Sequence, residues 1–115
     1  MTVTIYHNPS CSKSRQTLKI IKNKGIEPII IEYLKVFPTK DKIKEILNIL
    51  GYAPRDLMRK KEPAYIENKL EDSSLSDETL INFMVKNPIL IERPIIIFNN
   101  KVAIGRPPEK VLDIL

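Results

Sequence analysis

The only cysteine of the chain, Cys11, stands in the run Tyr6-His7-Asn8-Pro9-Ser10-Cys11-Ser12-Lys13-Ser14-Arg15, between an apolar strand signal and the first turn of an expected helix. Unpaired backbone N–H groups at a helix start carry partial positive charge. A sulfur among them can have its pKa lowered from about 8.5 to roughly 3.5–7.5. The thiolate is the nucleophile, so such a position favours chemistry. Most lone cysteines are inert, buried hydrophobes. Here the helix start, the nearby cations Lys13 and Arg15 and a histidine four residues upstream favour a reactive residue over a structural one. His7, the one histidine, closes a strand, where it acts either as a hydrogen-bonded scaffold residue or as a group that tunes Cys11.

Positive charge is the second lead. The net charge is +5, carried by fourteen Lys and five Arg (Arg15, Arg55, Arg59, Arg93 and Arg106). Acidic residues are interleaved with the basic ones throughout and aromatics make up only 6%, so the charge reads as a solvated surface and no nucleic-acid partner is expected. In a chain so biased toward Lys, each Arg raises a question, because its rigid planar fork of donors suits oxyanions in a way that Lys does not. Arg15 and Arg55 are assigned to the solvated surface.

These residues need elements to position them. Thr2 to Tyr6 reads as a strand and Ser12 to Lys24 as a helix with Leu18 and Ile21 facing in, stopped by Gly25. Pro28 opens a second strand, Ile29 to Tyr33, completing a βαβ unit. Thr39 caps a helix to Leu50 with Ile43, Ile46, Leu47 and Leu50 on one face, and Gly51 ends it. Tyr52 to Ser74 is polar and irregular, with a helical turn at Pro54 to Met58. Another helix starts near Ser76, presents Leu80, Ile81, Phe83 and Met84, and stops at Pro88. Strands Ile95 to Phe98 and Lys101 to Ala103 are joined by Asn99-Asn100, and a last helix runs from Pro108 to Leu115 with Val111, Leu112 and Leu115 inward.

This order predicts a four-stranded mixed sheet flanked by helices, with a helical insertion between strands 2 and 3. It is a thioredoxin-like arrangement in a single domain, residues 1–115, with Cys11 at the C-terminal edge of the sheet where open α/β sheets place ligands. Pro94 occupies the place where that fold keeps a cis proline facing the thiol, although X-Pro bonds in general are mostly trans. No run is long enough to span a membrane and the first residues lack a secretory pattern. One cysteine cannot make an internal disulfide, so a reducing cytoplasm is expected. With one His and one Cys, no metal constellation is expected either.

Four segments then carry a resemblance: Ile5-Tyr6-His7-Asn8-Pro9-Ser10-Cys11, Leu57-Met58-Arg59-Lys60, Asn87-Pro88-Ile89-Leu90-Ile91-Glu92-Arg93-Pro94-Ile95 and Gly105-Arg106-Pro107. Across nearly its full length the chain resembles the glutaredoxin-dependent arsenate reductase family. The resemblance implies that Cys11 is the nucleophile, that Arg59, Arg93 and Arg106 bind the oxyanion, and that His7 and Ser14 support the thiolate. It also implies a route for electrons. Reducing arsenate to arsenite takes two thiols and this chain has one, so glutathione is the implied co-substrate and glutaredoxin the implied partner, with no bound cofactor, no membrane association and a monomer expected.

Two other readings compete. Transcription regulators of the same fold bind RNA polymerase and carry Cys-x-x-Cys as a redox switch; here the second position is Ser14, which rules out that local disulfide and leaves at most a redox-insensitive relative. A general thiol oxidoreductase with another substrate needs Cys11 but has no use for three oxyanion arginines.

Overall fold

A computed structural model describes residues 2–115. The chain forms two compact units: one runs to Val36 and resumes at Arg93, the other is Phe37–Glu92. The first contains β1 (Val3–His7), α1 (Ser12–Asn23), β2 (Ile29–Glu32), β3 (Ile95–Phe98) and β4 (Lys101–Ile104), then a 3₁₀ segment, Pro108–Asp113. β-Branched residues dominate β1 to β3, and the strands align in the order β2-β1-β3-β4. β1 pairs in parallel with β2 and antiparallel with β3, and β3 and β4 form a hairpin. This is the mixed sheet expected from the sequence. The hairpin turn uses Asn99 with φ +55°, as its type predicts.

Register explains why the site gathers at one edge. Tyr6 stands opposite Ile31 on one side and Ile95 on the other, and Ile95 opposite Ile104. The chain leaving β1, the chain entering β3 and the chain leaving β4 therefore share an edge, which brings Cys11, Arg93 and Arg106 to the same end. Beneath it lies a core of Val3, Ile5, Ile21, Ile96, Ala103, Val111 and Ile114, with Leu18 and Leu115 packed on it. α1 supplies that core through Ile21, and its N-cap is Cys11 itself, in extended conformation (φ −95°, ψ 122°).

The C-terminal segment differs from expectation. It is 3₁₀ rather than α-helical. With three residues per turn, i and i+3 align, so Val111 and Ile114 face the core while Leu112 is exposed. β2 is present as expected but ends at Glu32, one residue before Tyr33; it is an edge strand with one neighbour, and Ile29 and Ile30 are exposed.

The inserted unit is helical: α2 (Lys40–Leu50), a 3₁₀ turn at Pro54–Leu57, α3 (Pro63–Glu67), α4 (Asp77–Lys86) and a 3₁₀ turn at Pro88–Leu90. α2 and α4 begin as predicted, since the Thr39 and Ser76 side chains accept the N–H groups of Lys42 and Thr79. Gly51, at φ +68°, closes α2. Ile43, Ile46 and Leu47 of α2 and Leu80, Ile81 and Met84 of α4 are buried. α3 and the last 3₁₀ turn fall where the sequence reads as irregular or as a helix stop. An antiparallel bridge between Met58 and Ile91, with Arg59 N–H donating to the Leu90 carbonyl at 2.7 Å and Glu92 N–H to the Leu57 carbonyl at 2.8 Å, ties the middle of the unit to its C-terminal end.

Candidate active site

The loop from β1 to α1 is fixed by its own hydrogen bonds. Cys11 N–H donates to the Asn8 carbonyl (3.0 Å), Ser10 N–H to Asn8 Oδ1 (3.0 Å), and Asn8 N–H to Ser14 Oγ (3.0 Å). Arg15 Nη1 donates to the Pro9 carbonyl at 2.9 Å. Asn8 thus braces the loop from its carbonyl, its amide and its side chain. Asn8 falls within the family segment without a role of its own, and Arg15, expected as a cation near the thiol, also reaches back to the loop backbone; the local signal for the turn is the Asn-Pro-Ser composition. Arg15 is accordingly not merely a solvated cation. Nor is Arg55, whose Nε and Nη2 donate to the Leu70 and Asp72 carbonyls at 2.9 and 2.6 Å within the inserted unit.

Cys11 is a buried, free thiol. Burial pushes its pKa up, but the backbone N–H groups of Ser14 and Lys13 and the Arg93 guanidinium outweigh burial, and the thiol is held below its ordinary value. Arg93 acts through both a hydrogen bond and its charge. Arg106 adds a second contact, with Nη2 3.7 Å from Cys11 Sγ, while its Nε donates to the Arg93 carbonyl at 2.8 Å. The Arg93 Nε and Nη1 atoms are buried and have no hydrogen-bond partner among the described residues. Buried donors are nearly always satisfied, so two unsatisfied N–H groups on one guanidinium beside a thiol require an explanation.

His7 and Ser14 lie behind the loop. Both are buried, and His7 Nδ1 and Ser14 Oγ share a 2.6 Å hydrogen bond. Burial lowers the His7 pKa, and Arg15 and Lys22 add to that against the opposing pull of Glu32, so the imidazole is held neutral. Pro94 is buried, and both Arg93-Pro94 and Arg106-Pro107 are cis. The cis bond at Pro94 agrees with the fold-based expectation; that at Pro107 is one the sequence did not single out.

Gly105, which opens the Gly105-Arg106-Pro107 segment, has a packing role that no sequence pattern marks. Its N–H donates to the Pro94 carbonyl at 3.0 Å, and a Cβ there would lie 2.4 Å from Thr17 Oγ1 and 2.8 Å from Pro94 Cγ. Thr17 Oγ1 in turn donates to the Lys13 carbonyl at 2.8 Å. Backbone, α1 and the Pro94 ring meet here without room for a side chain.

The first unit therefore brings together Cys11, His7, Ser14, Arg93, Pro94 and Arg106. Arg59 belongs to the inserted unit, where its guanidinium pairs with Glu62. Among the described residues no group of His, Cys, Asp and Glu is arranged to hold a metal, and no helix is long and apolar enough to cross a membrane.

Comparison with known proteins fits this geometry. The chain is 53% identical to the uncharacterized protein YfgD of Escherichia coli (strain K12) over 98% of its own length and 96% of that protein's. It is 46% identical to an arsenate reductase of Yersinia enterocolitica, covering 98% of this chain and 80% of the relative. An arsenate reductase structure from Vibrio cholerae superposes with a TM-score of 0.97 at 49% identity, covering 100% of this chain and 98% of the other. The family profile for ArsC matches residues 6–114, and the chain belongs to the ArsC family.

Proposed function

We propose that this protein reduces arsenate, or a similar tetrahedral oxyanion, by attack of the Cys11 thiolate, with electrons supplied by glutathione and glutaredoxin. The observation that carries the reading is Arg93: two buried N–H groups without a partner, on a guanidinium that already lowers the pKa of the only thiol. An oxyanion satisfies those donors with charge-assisted hydrogen bonds. Arsenate is an anion and so is a thiolate, and cationic donors offset their repulsion while stabilising charge that develops as an As–O bond breaks. Arg106 supplies a second fork; Arg59 is tied to the oxyanion only by the family motif Leu57-Met58-Arg59-Lys60, and within the inserted unit its guanidinium pairs with Glu62. His7 and Ser14 hold the loop that carries the sulfur, and Pro94 walls the site. Relatives described as arsenate reductases at 44–46% identity support the same substrate.

The Cys11 sulfur forms a bond to arsenic and one oxygen departs as water. Glutathione adds to the same arsenic, and formation of a Cys11–glutathione disulfide leaves two electrons on arsenic, which departs as arsenite. Glutaredoxin with a further glutathione then returns Cys11 to the thiol. Two thiols become one disulfide and As(V) becomes As(III). No bound cofactor is required, and the reducing cytoplasm is where such a monomeric thiol enzyme works.

The test is arsenate-dependent NADPH oxidation with glutathione, glutaredoxin and glutathione reductase. Wild type turns over, and Cys11→Ser, a near-isosteric change to a far poorer nucleophile, does not. Cys11→Ser turnover close to wild type refutes the mechanism, and a wild type that is inactive with arsenate refutes the substrate.

A further inference from the structure

The proposed reaction leaves one participant without a place, because the chain has a single cysteine and the electrons must come from a thiol outside it. Arg93 and Arg106 reach the sulfur from the β3 and β4 side of β1. On the other side, at the carboxyl ends of β1 and β2, a cleft of about 250 Å³ opens. One wall is His7, Asn8, Pro9 and Ser10, the stretch that ends at Cys11; the other is Glu32, Leu34 and Lys35. The parallel register sets His7 beside Glu32, and beyond them the chains diverge, β1 into the Cys11 loop and β2 into a turn in which the Lys35 and Val36 N–H groups donate to the Glu32 carbonyl. Divergence at strand ends is how open α/β sheets make ligand crevices.

The lining specifies the ligand. Pro9 and Leu34 offer exposed apolar surface. Glu32 and Lys35 offer opposite charges, paired at 3.5 Å with side chains 41% and 77% exposed. A pair so exposed contributes little, so each member can exchange its partner for a ligand group at small cost. An anion alone or a cation alone would gain from one of them and be repelled by the other; a zwitterion gains from both. The volume lies below the roughly 300–1,000 Å³ of drug-sized pockets, which limits the occupant to a small molecule.

We infer that this cleft binds the low-molecular-weight thiol co-substrate through an α-amino-carboxylate end, ammonium on Glu32 and carboxylate on Lys35, with the thiol directed along Pro9 and Ser10 toward Cys11. The assignment rests on the reductase reading for its thiol. It is tested with S-methylglutathione, which keeps the charged ends and cannot react, titrated into the ¹⁵N-labelled full chain. The Ser10, Leu34 and Lys35 amides shift in wild type, and Lys35→Glu weakens binding about fivefold, the loss expected for one exposed ion pair. In turnover the same variant raises KM for glutathione about fivefold, does not raise KM for arsenate, and handles the uncharged thiol 2-mercaptoethanol as wild type does. Absent shifts, shifts that map elsewhere, or a KM for glutathione indifferent to Lys35→Glu overturn the site. Probe binding at these amides in a protein that does not reduce arsenate overturns the reductase reading and leaves the thiol site standing.

Discussion

Gly105→Ala adds one carbon at the tightest point of the first unit. Its Cβ would stand 2.4 Å from Thr17 Oγ1, 1.0 Å short of the 3.4 Å at which ordinary contact begins, and 2.8 Å from Pro94 Cγ. Neither neighbour yields easily. Thr17 is fully buried and its hydroxyl donates to the Lys13 carbonyl, while Pro94 is a rigid ring at the start of β3. Overpacking of this kind costs about 1–3 kcal/mol, and each kcal/mol lowers Tm by about 4–8 °C in a domain of similar size. The strain also reaches the site, because the next residue is Arg106, whose 3.7 Å contact with Cys11 Sγ does not survive a displacement of about 1 Å. We therefore expect a lower Tm and a loss of arsenate turnover of about 10²-fold, the rate cost associated with a misplacement of about 1 Å. Thermal unfolding followed by circular dichroism and the coupled NADPH assay read the two effects. Adding Thr17→Ala removes both the hydroxyl and the methyl that Cβ would meet, and restores part of the stability. A Gly105→Ala protein with wild-type Tm and turnover refutes the packing argument.

Three further outcomes follow from the site. Arg93→Lys keeps a charge but not the planar fork, and lowers kcat/KM for arsenate by about 10²–10³-fold; wild-type kinetics remove Arg93 from the oxyanion site. Arg93→Met removes both the charge and the hydrogen bond that lower the thiol pKa, so the midpoint of iodoacetamide alkylation, held below the ordinary thiol value in wild type, moves upward; an unchanged midpoint refutes that electrostatic role. His7 is held neutral by burial, so its folded pKa lies below the unfolded value of about 6.5, and as pH falls through that value the unfolded state takes up a proton first. Stability therefore declines below about pH 6.5 and the decline ends once pH passes the folded pKa. Urea unfolding at a series of pH values shows a shallower decline in His7→Gln; equal slopes contradict the assignment.

The strands, α1, α2 and α4 were legible because their signals are local: β-branched runs, Thr39 and Ser76 as caps, Gly51 as a stop. Cys11 at a helix start was legible for the same reason. The convergence of Arg93 and Arg106 on its sulfur is a property of sheet register across distant strands, and only the family resemblance pointed to it. The bracing and packing roles of Asn8, Arg15 and Gly105 are not legible, because what marks them is a distance, from Arg15 to the Pro9 carbonyl or from Gly105 to Thr17, and no periodicity encodes a distance. The last segment misled for another reason. Its apolar residues fit both 3.0 and 3.6 residues per turn over so short a span, and only packing decides that Ile114 faces in and Leu112 out.

In the proposed reaction a tetrahedral oxyanion binds at Cys11 on the donors of Arg93. Diffraction from crystals of the Cys11→Ser protein soaked in arsenate tests it most directly, since the missing thiol prevents turnover. Arsenate oxygens are expected within hydrogen-bond distance of Arg93 Nε and Nη1 and of the Arg106 guanidinium, with arsenic facing the side chain at position 11. Arsenate bound only at other cations, with the Arg93 donors untouched, contradicts it.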